Sequence, residues 1–255
     1  MAHIGVIKAL EENQIPIDYI TGTSMGALIG SMYATGLSPK QKKKMVLSKE
    51  FIERAKGKMS DDYQYYYNQK DPDAGWVTIK FSYDSALKMR LPESVISSAL
   101  IDYTLMENYA PAIAKANCNF DSLMVPFRCV ASDIKNRQAV IFSNDDLARA
   151  VRSSMAFPFY LTPVAVDNRI MFDGGLYNNF PCDVMIDDFK PEIIIGSSVG
   201  NNSEVVYEDN LLSQVRTMII QQATEYKVPR ATDFLIAPEI SYIGVFDFED
   251  ARMAI

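Results

Sequence analysis

Gly22-Thr23-Ser24-Met25-Gly26 decides how this chain is read. It is a G-x-S-x-G stretch, and its flanks matter more than its letters. Before it, residues 17–21 follow Pro16 and read as a short strand; after it, residues 27–34 read as a mostly apolar helix. A strand, a glycine-flanked serine and a helix in direct succession describe a nucleophile elbow. The turn is so tight that the serine takes strained backbone angles, and bulky side chains at positions 22 and 26 are expected to clash. The hydroxyl of Ser24 then projects from the strand end. The N–H of Met25 opens the helix and can donate to a developing oxyanion. G-x-S-x-G alone is common, so the strand and helix carry the choice of a candidate nucleophile over a structural turn.

Outward from the elbow, residues 3–12 show helical spacing of Ile4, Ile7 and Leu10, closed by Asn13 and Pro16. Ser38-Pro39-Lys40-Gln41 opens a further helix with an N-cap, a proline at its first position and a capping box. Strands are expected at residues 124–131, 138–142, 169–172 and 193–195, with a last one at 234–237. Helices are expected near residues 92–100, at 102–116, from an acidic first turn at Asn144-Asp145-Asp146 through 148–154, and at 211–227. Residues 193–195 read as a central buried strand. This alternation with short connections predicts a single α/β domain over residues 1–255 with a mainly parallel sheet.

The segment from residue 57 to 75 breaks the pattern. Its acidic residues and asparagine surround Tyr63, Tyr65, Tyr66 and Tyr67. It reads as a surface loop whose tyrosines pack on the body; the sharper alternative is a lid or a lipid-facing patch that touches a membrane surface peripherally.

Composition bounds the rest. A chain of 255 residues with 48% hydrophobic residues can bury one sizeable core. The net charge of −7 disfavours nucleic acid as a partner. Lys42-Lys43-Lys44 is the basic cluster and reads as a solvated helix face. The three cysteines give no disulfide framework, and Cys129 belongs to an apolar strand. With one histidine and no paired-cysteine spacing, no metal site is expected. No window approaches the roughly 20 apolar residues that cross a bilayer, so the chain as given is expected to be soluble.

A serine hydroxyl needs an adjacent base. The single histidine, His3, precedes Ser24, where capping or packing suits it as well as chemistry, and none follows. A serine–acid–histidine order is therefore excluded, which leaves a carboxylate. Asp173 is the best candidate: it ends a short apolar strand, as Ser24 does, and Gly174 and Gly175 let the chain turn sharply behind it. Both side chains are then expected at one edge of a parallel sheet. Asp133 also follows a strand and is the rival.

Gly22-Thr23-Ser24-Met25-Gly26 read with Asp173-Gly174-Gly175 resembles the patatin-like phospholipases, in particular bacterial ones. The likeness extends to residues 2–12, to Ala150-Val151-Arg152-Ser153-Ser154-Met155-Ala156-Phe157-Pro158 and to Asn178-Asn179-Phe180-Pro181. The resemblance implies a three-layer α/β/α sandwich and a lipid acyl hydrolase acting on phospholipid or other acyl esters. Ser24 would be the nucleophile and Asp173 the base, with no metal or organic cofactor. Phe157, Phe159 and Leu161 become candidates for an apolar acyl channel. The family carries a first strand and a glycine-rich oxyanion loop directly before the segment matched by Ala2-His3-Ile4-Gly5. The sequence given is thus expected to be cut at both ends, from a cytoplasmic protein or from a larger bacterial envelope protein. Two other readings stay open: a lipid-binding or interaction domain with little catalysis, and an acyltransferase.

Overall fold

A computed structural model describes residues 1–57, 80–83, 87–90, 97–199, 228–230 and 232–238. The tyrosine-rich stretch and the helix expected at 211–227 lie outside them. Among the described residues the central sheet is five-stranded. Its strands are β1 (Ile20–Thr23), β4 (Phe127–Asp133), β5 (Gln138–Phe142), β6 (Val164–Val166) and β7 (Arg169–Asp173), and β1 ends the path they form. A hairpin of β2 (Lys80–Tyr83) and β3 (Leu87–Arg90) stands apart, as does the pair β8 (Ile195–Ser197) and β9 (Phe234–Ile236).

Side-chain alternation builds the layers. β1 and β4 run parallel, with Ile20 opposite Phe127 and Thr21 opposite Arg128. Ile20, Gly22, Phe127 and Cys129 therefore share one face, and Thr21, Thr23 and Arg128 share the other. The first face packs α2 (Met25–Ala34) and α6 (Leu147–Ser154): Gly30 sits against Ile20 and Phe127, and the Cys129 thiol bonds the Ala150 carbonyl. The second face packs α7 (Cys182–Phe189), where Arg128 lies over the Phe189 ring at 4.6 Å and pairs with Asp188 at 2.5 Å and Asp121 at 2.6 Å. Helices on both faces of the sheet make the α/β/α sandwich. α2 is buried from Ala27 to Met32 because the sheet covers one side and its helical neighbours the other. Tyr109 of α5 (Ala99–Lys115) reaches it through a buried bond to Ser31 of 2.7 Å.

Strand directions are mixed among the described residues. Parallel pairing joins β1 to β4 and β8 to β9, whereas β4–β5, β4–β7 and β6–β7 are antiparallel. Short connections dictate this. β5 returns from β4 through residues 134–137, and β6 meets β7 across Asp167-Asn168, whose φ values of 50° and 60° suit a type I′ hairpin turn. The run at residues 193–195 is not a central buried strand: Ile193 is 56% exposed, and β8 pairs with β9.

Local signals held where they were self-contained. α3 (Pro39–Val46) begins with the expected capping box between Ser38 and Gln41. Asp146 caps α6 by accepting from the Ala148 and Arg149 N–H groups. The basic run on α3 departs from expectation. Lys43 and Lys44 are exposed, but Lys42 is fully buried, with its ammonium 4.2 Å from the centre of the Tyr33 ring and without a hydrogen-bond acceptor among the described residues. Burial lowers its pKa to about 8, against the opposing pull of Glu11 of α1 (His3–Glu12).

The folded chain therefore loses the Lys42 proton before the unfolded chain does. Stability rises as pH climbs from about 8 to the unfolded value of 10.5. Lys42→Met is expected to stabilise by about 1–3 kcal/mol at pH 7. That gain should shrink toward pH 10 in urea unfolding; a gain that does not change with pH would contradict it.

Candidate active site

The elbow is present. Ser24 has φ 52° and ψ −118°, a strained conformation, and sits between the end of β1 and the start of α2. Gly22 is required sterically, since a Cβ there would lie 2.6 Å from the Gly26 backbone. Gly26 differs at the level of a single Cβ: one built there meets nothing within 4 Å. The first intrahelical bond of α2 runs from Leu28 N–H to the Ser24 carbonyl, which leaves the N–H groups of Met25 and Gly26 unclaimed by the helix.

Asp173 comes to this turn by register. It lies opposite Ala131 on β4, one residue beyond Val130, which lies opposite Thr23. Pairing with Ala131 also puts its side chain on the α2 face. The parallel edge assumed from sequence is not how they meet, since β7 runs antiparallel to β4 and reaches this level from the other direction. Ser24 Oγ donates to Asp173 Oδ2 at 2.7 Å. The other carboxylate oxygen, Oδ1, accepts the Gly175 N–H at 2.8 Å, and Asp173 is buried. Gly174 allows the close approach behind it, where a Cβ would lie 2.2 Å from the Val130 carbonyl.

The rivals do other work. Asp133 is buried two residues past Ala131 and accepts the Asn136 backbone N–H at 3.1 Å and its amide at 2.7 Å, which closes the β4–β5 turn. Those bonds hold its pKa below the usual carboxylate value. The His3 ring shares Nδ1 with the Ser197 hydroxyl at 2.8 Å. Burial and the nearby N-terminus lower its pKa to about 3, so the ring is neutral.

Two cavities open onto Ser24, Met25, Phe157 and Asp173. One, of about 70 Å³, is apolar and lined by Leu28, Phe51, Ala55, Ile101, Leu105, Met155, Phe157 and Leu161. Arg54 on its wall bonds Thr104 and pairs with Glu50 and Glu107, and the Tyr160 hydroxyl bonds the Ala55 carbonyl. The second, of about 300 Å³, runs along β1 and β8 beneath His3, Val6 and Leu10. Of the acyl-channel candidates, Phe157 and Leu161 line the apolar cavity. Phe159 does not: its φ of 66° turns the side chain outward, and it is 56% exposed. Phe51, Ile101 and Leu105 were not expected, although helical spacing in α4 (Lys49–Ala55) and α5 was their available signal.

This is an α/β protein with a serine on a nucleophile elbow, bonded to a buried aspartate beside an apolar cavity. The sequence model described as patatin-like phospholipase matches residues 1–186, and the chain belongs to that family. Lysophospholipase NTE1 of Mycosarcoma maydis is 25% identical over 187 residues, which cover 72% of this chain and 8% of that protein. Patatin-like phospholipase domain-containing protein 6 of Mus musculus is 26% identical over 217 residues, 82% of this chain and 14% of that protein. The chain thus spans a small part of the relatives it matches. The structure of VipD from Legionella pneumophila overlaps at a TM-score of 0.44 with 12% identity, covering 85% of this chain and 50% of that one.

The two glycines of the elbow should respond differently. Gly22→Ala is expected to destabilise by about 1–3 kcal/mol, the usual cost of overpacking against backbone. Gly26→Ala is expected to shift stability by no more than about 1 kcal/mol, with helix propensity in its favour. Thermal unfolding checks this; equal losses in the two variants would contradict the geometry.

Proposed function

We propose that the chain is a serine acyl hydrolase that cleaves acyl esters of lipids through Ser24 and Asp173. The observation that carries this reading is the 2.7 Å bond from Ser24 Oγ to Asp173 Oδ2 on a strained turn beside an apolar cavity. Ser24 Oγ attacks the ester carbonyl carbon as its proton passes to Asp173 Oδ2. The carbonyl oxygen becomes an oxyanion, for which the Met25 and Gly26 N–H groups are the unclaimed donors at the start of α2. The C–O bond to the alcohol then breaks, and the departing alkoxide takes the proton back from Asp173. The acyl chain, held on Ser24 as an ester, lies in the cavity lined by Leu28, Leu105 and Phe157. Water next gives a proton to Asp173, attacks the acyl carbon and releases the fatty acid, and the proton returns to Ser24 Oγ.

Family membership supports lipid as the substrate class, and NTE1 is named a lysophospholipase. The acyl and alcohol parts of an ester both need space, and two cavities open onto Ser24.

Ser24→Ala is expected to lower kcat on a p-nitrophenyl ester by ~10⁴-fold or more while the fold persists. Asp173→Asn should cost about 10²–10⁴-fold, because the amide cannot take the serine proton. Asp133→Asn should leave turnover of the folded protein close to the parent's. A fluorophosphonate should label Ser24. Full turnover by folded Ser24→Ala would sink the nucleophile assignment, and an active Asp173→Asn beside an inactive Asp133→Asn would move the base to Asp133. Lipid binding without turnover would favour the binding-domain reading, and ester formation with added alcohol would favour acyl transfer.

A further inference from the structure

Three serines of the site region are buried in helices, and they use their hydroxyls differently. Ser31 donates back to Leu28 in its own helix at 2.9 Å while also meeting the Tyr109 hydroxyl at 2.7 Å, and Ser153 donates back to Arg149 at 2.8 Å. That is the ordinary habit of a helical serine. Ser154, the last residue of α6, is equally buried but turns its hydroxyl out of the helix. Its Oγ accepts the backbone N–H of Ser24 at 2.8 Å and donates to the Val130 carbonyl at 2.5 Å.

Both partners matter to the pair. The Ser24 N–H belongs to the residue with φ 52°. The Val130 carbonyl lies beside Gly174, one residue from the Ala131 position that faces Asp173. One hydroxyl thus ties the strained residue to the strand that seats the carboxylate. We infer that Ser154 is a positioning residue for Ser24: its hydroxyl holds the elbow in the conformation that aims Ser24 Oγ at Asp173. This rests on the proposed catalytic reading of that pair. Without the hydroxyl, the Ser24 N–H loses its acceptor, the strained turn relaxes, and the oxygen leaves the line to its base.

The test uses four variants of the whole chain. Ser154→Ala removes the hydroxyl, and Ser153→Ala removes an equally buried neighbour that bonds only within its helix. Ser154→Thr and Ser154→Val share one shape and differ in the hydroxyl, so any crowding is common to both. Measured are kcat and KM on a soluble ester, exchange of the Ser24 amide by NMR, the thermal midpoint, and fluorophosphonate labelling of the parent. Ser154→Ala and Ser154→Val are expected to lose about 10²-fold in kcat with KM within about twofold, the mark of misplaced chemistry rather than lost binding. Their Ser24 amide should exchange faster, Thr should recover most of what Val loses, and Ser153→Ala should keep its kcat. The inference is overturned by kcat within about threefold of the parent in Ser154→Ala, by an equal loss in Ser153→Ala, by Thr no better than Val, or by an unchanged Ser24 amide. A parent labelled at Ser24 whose Ser154→Ala form is unimpaired overturns the positioning role alone. A parent not labelled at Ser24 overturns the catalytic reading and this one with it.

Discussion

A one-residue step along β4 governs the site. Thr23 stands opposite Val130 and Asp173 opposite Ala131, so strands arriving from opposite directions end at the same level. Each chain must then leave at once, Thr23 into the elbow and Asp173 into the turn at Gly174. Each exit depends on a missing side chain: Gly22 against the Gly26 backbone, and Gly174 against the Val130 carbonyl. The side-chain period of a strand is two, so a slip of one residue between β4 and β7 would send the carboxylate to the α7 face. The 2.7 Å bond between Ser24 and Asp173 is therefore a consequence of sheet register before it is a matter of chemistry.

What the sequence revealed was what short stretches encode by themselves. The elbow is legible because its sterics are local, and the Ser38 capping box because four adjacent residues complete it. The single histidine before the serine leaves a carboxylate as the base to look for, and the strand and glycine turn around Asp173 made it the candidate over Asp133. Features that need a partner from elsewhere stay hidden. The direction of β7 depends on a hairpin with β6, whose Asp167-Asn168 turn was a readable signal that went unread. Lys42 sits in a basic run that looks solvated, and only packing against Tyr33 buries it. Phe159 shares an apolar stretch with Phe157, yet one positive φ separates the exposed ring from the one in the cavity wall.

The two faces of the sheet also divide the labour. The α2 face is packed with apolar side chains around Phe127, Cys129, Leu28 and Tyr109, and burial pushes the Cys129 thiol up to about 12, near the Ser24–Asp173 pair. The α7 face is polar: Arg128 bonds Asp121 and Asp188, and Thr21 and Thr23 bond carbonyls of the loop before α7. The apolar cavity beside Ser24 opens on the first face. The second face fixes β1 in place by directional bonds, which tolerate less sliding than apolar contact does.

That fixation has an energetic purpose at the elbow. A residue held at φ 52° costs on the order of 1–3 kcal/mol, and no chain keeps such a conformation unless its surroundings enforce it. β1 is short, and among the described residues its ladder bonds run to β4. Side-chain bonds supply the rest. Thr21 Oγ1 donates to Pro181 at 3.2 Å, Thr23 Oγ1 to Asn178 at 2.8 Å, and the Ser24 N–H to Ser154 at 2.8 Å. At about 0.5–1.5 kcal/mol net for each, the three together match the strain they oppose. They also come from two sides, the loop before α7 and the end of α6, so relaxing the turn in either direction breaks at least one of them. A strained serine at the end of a short strand can thus stay aimed at its carboxylate because both layers of the sandwich hold the strand that carries it.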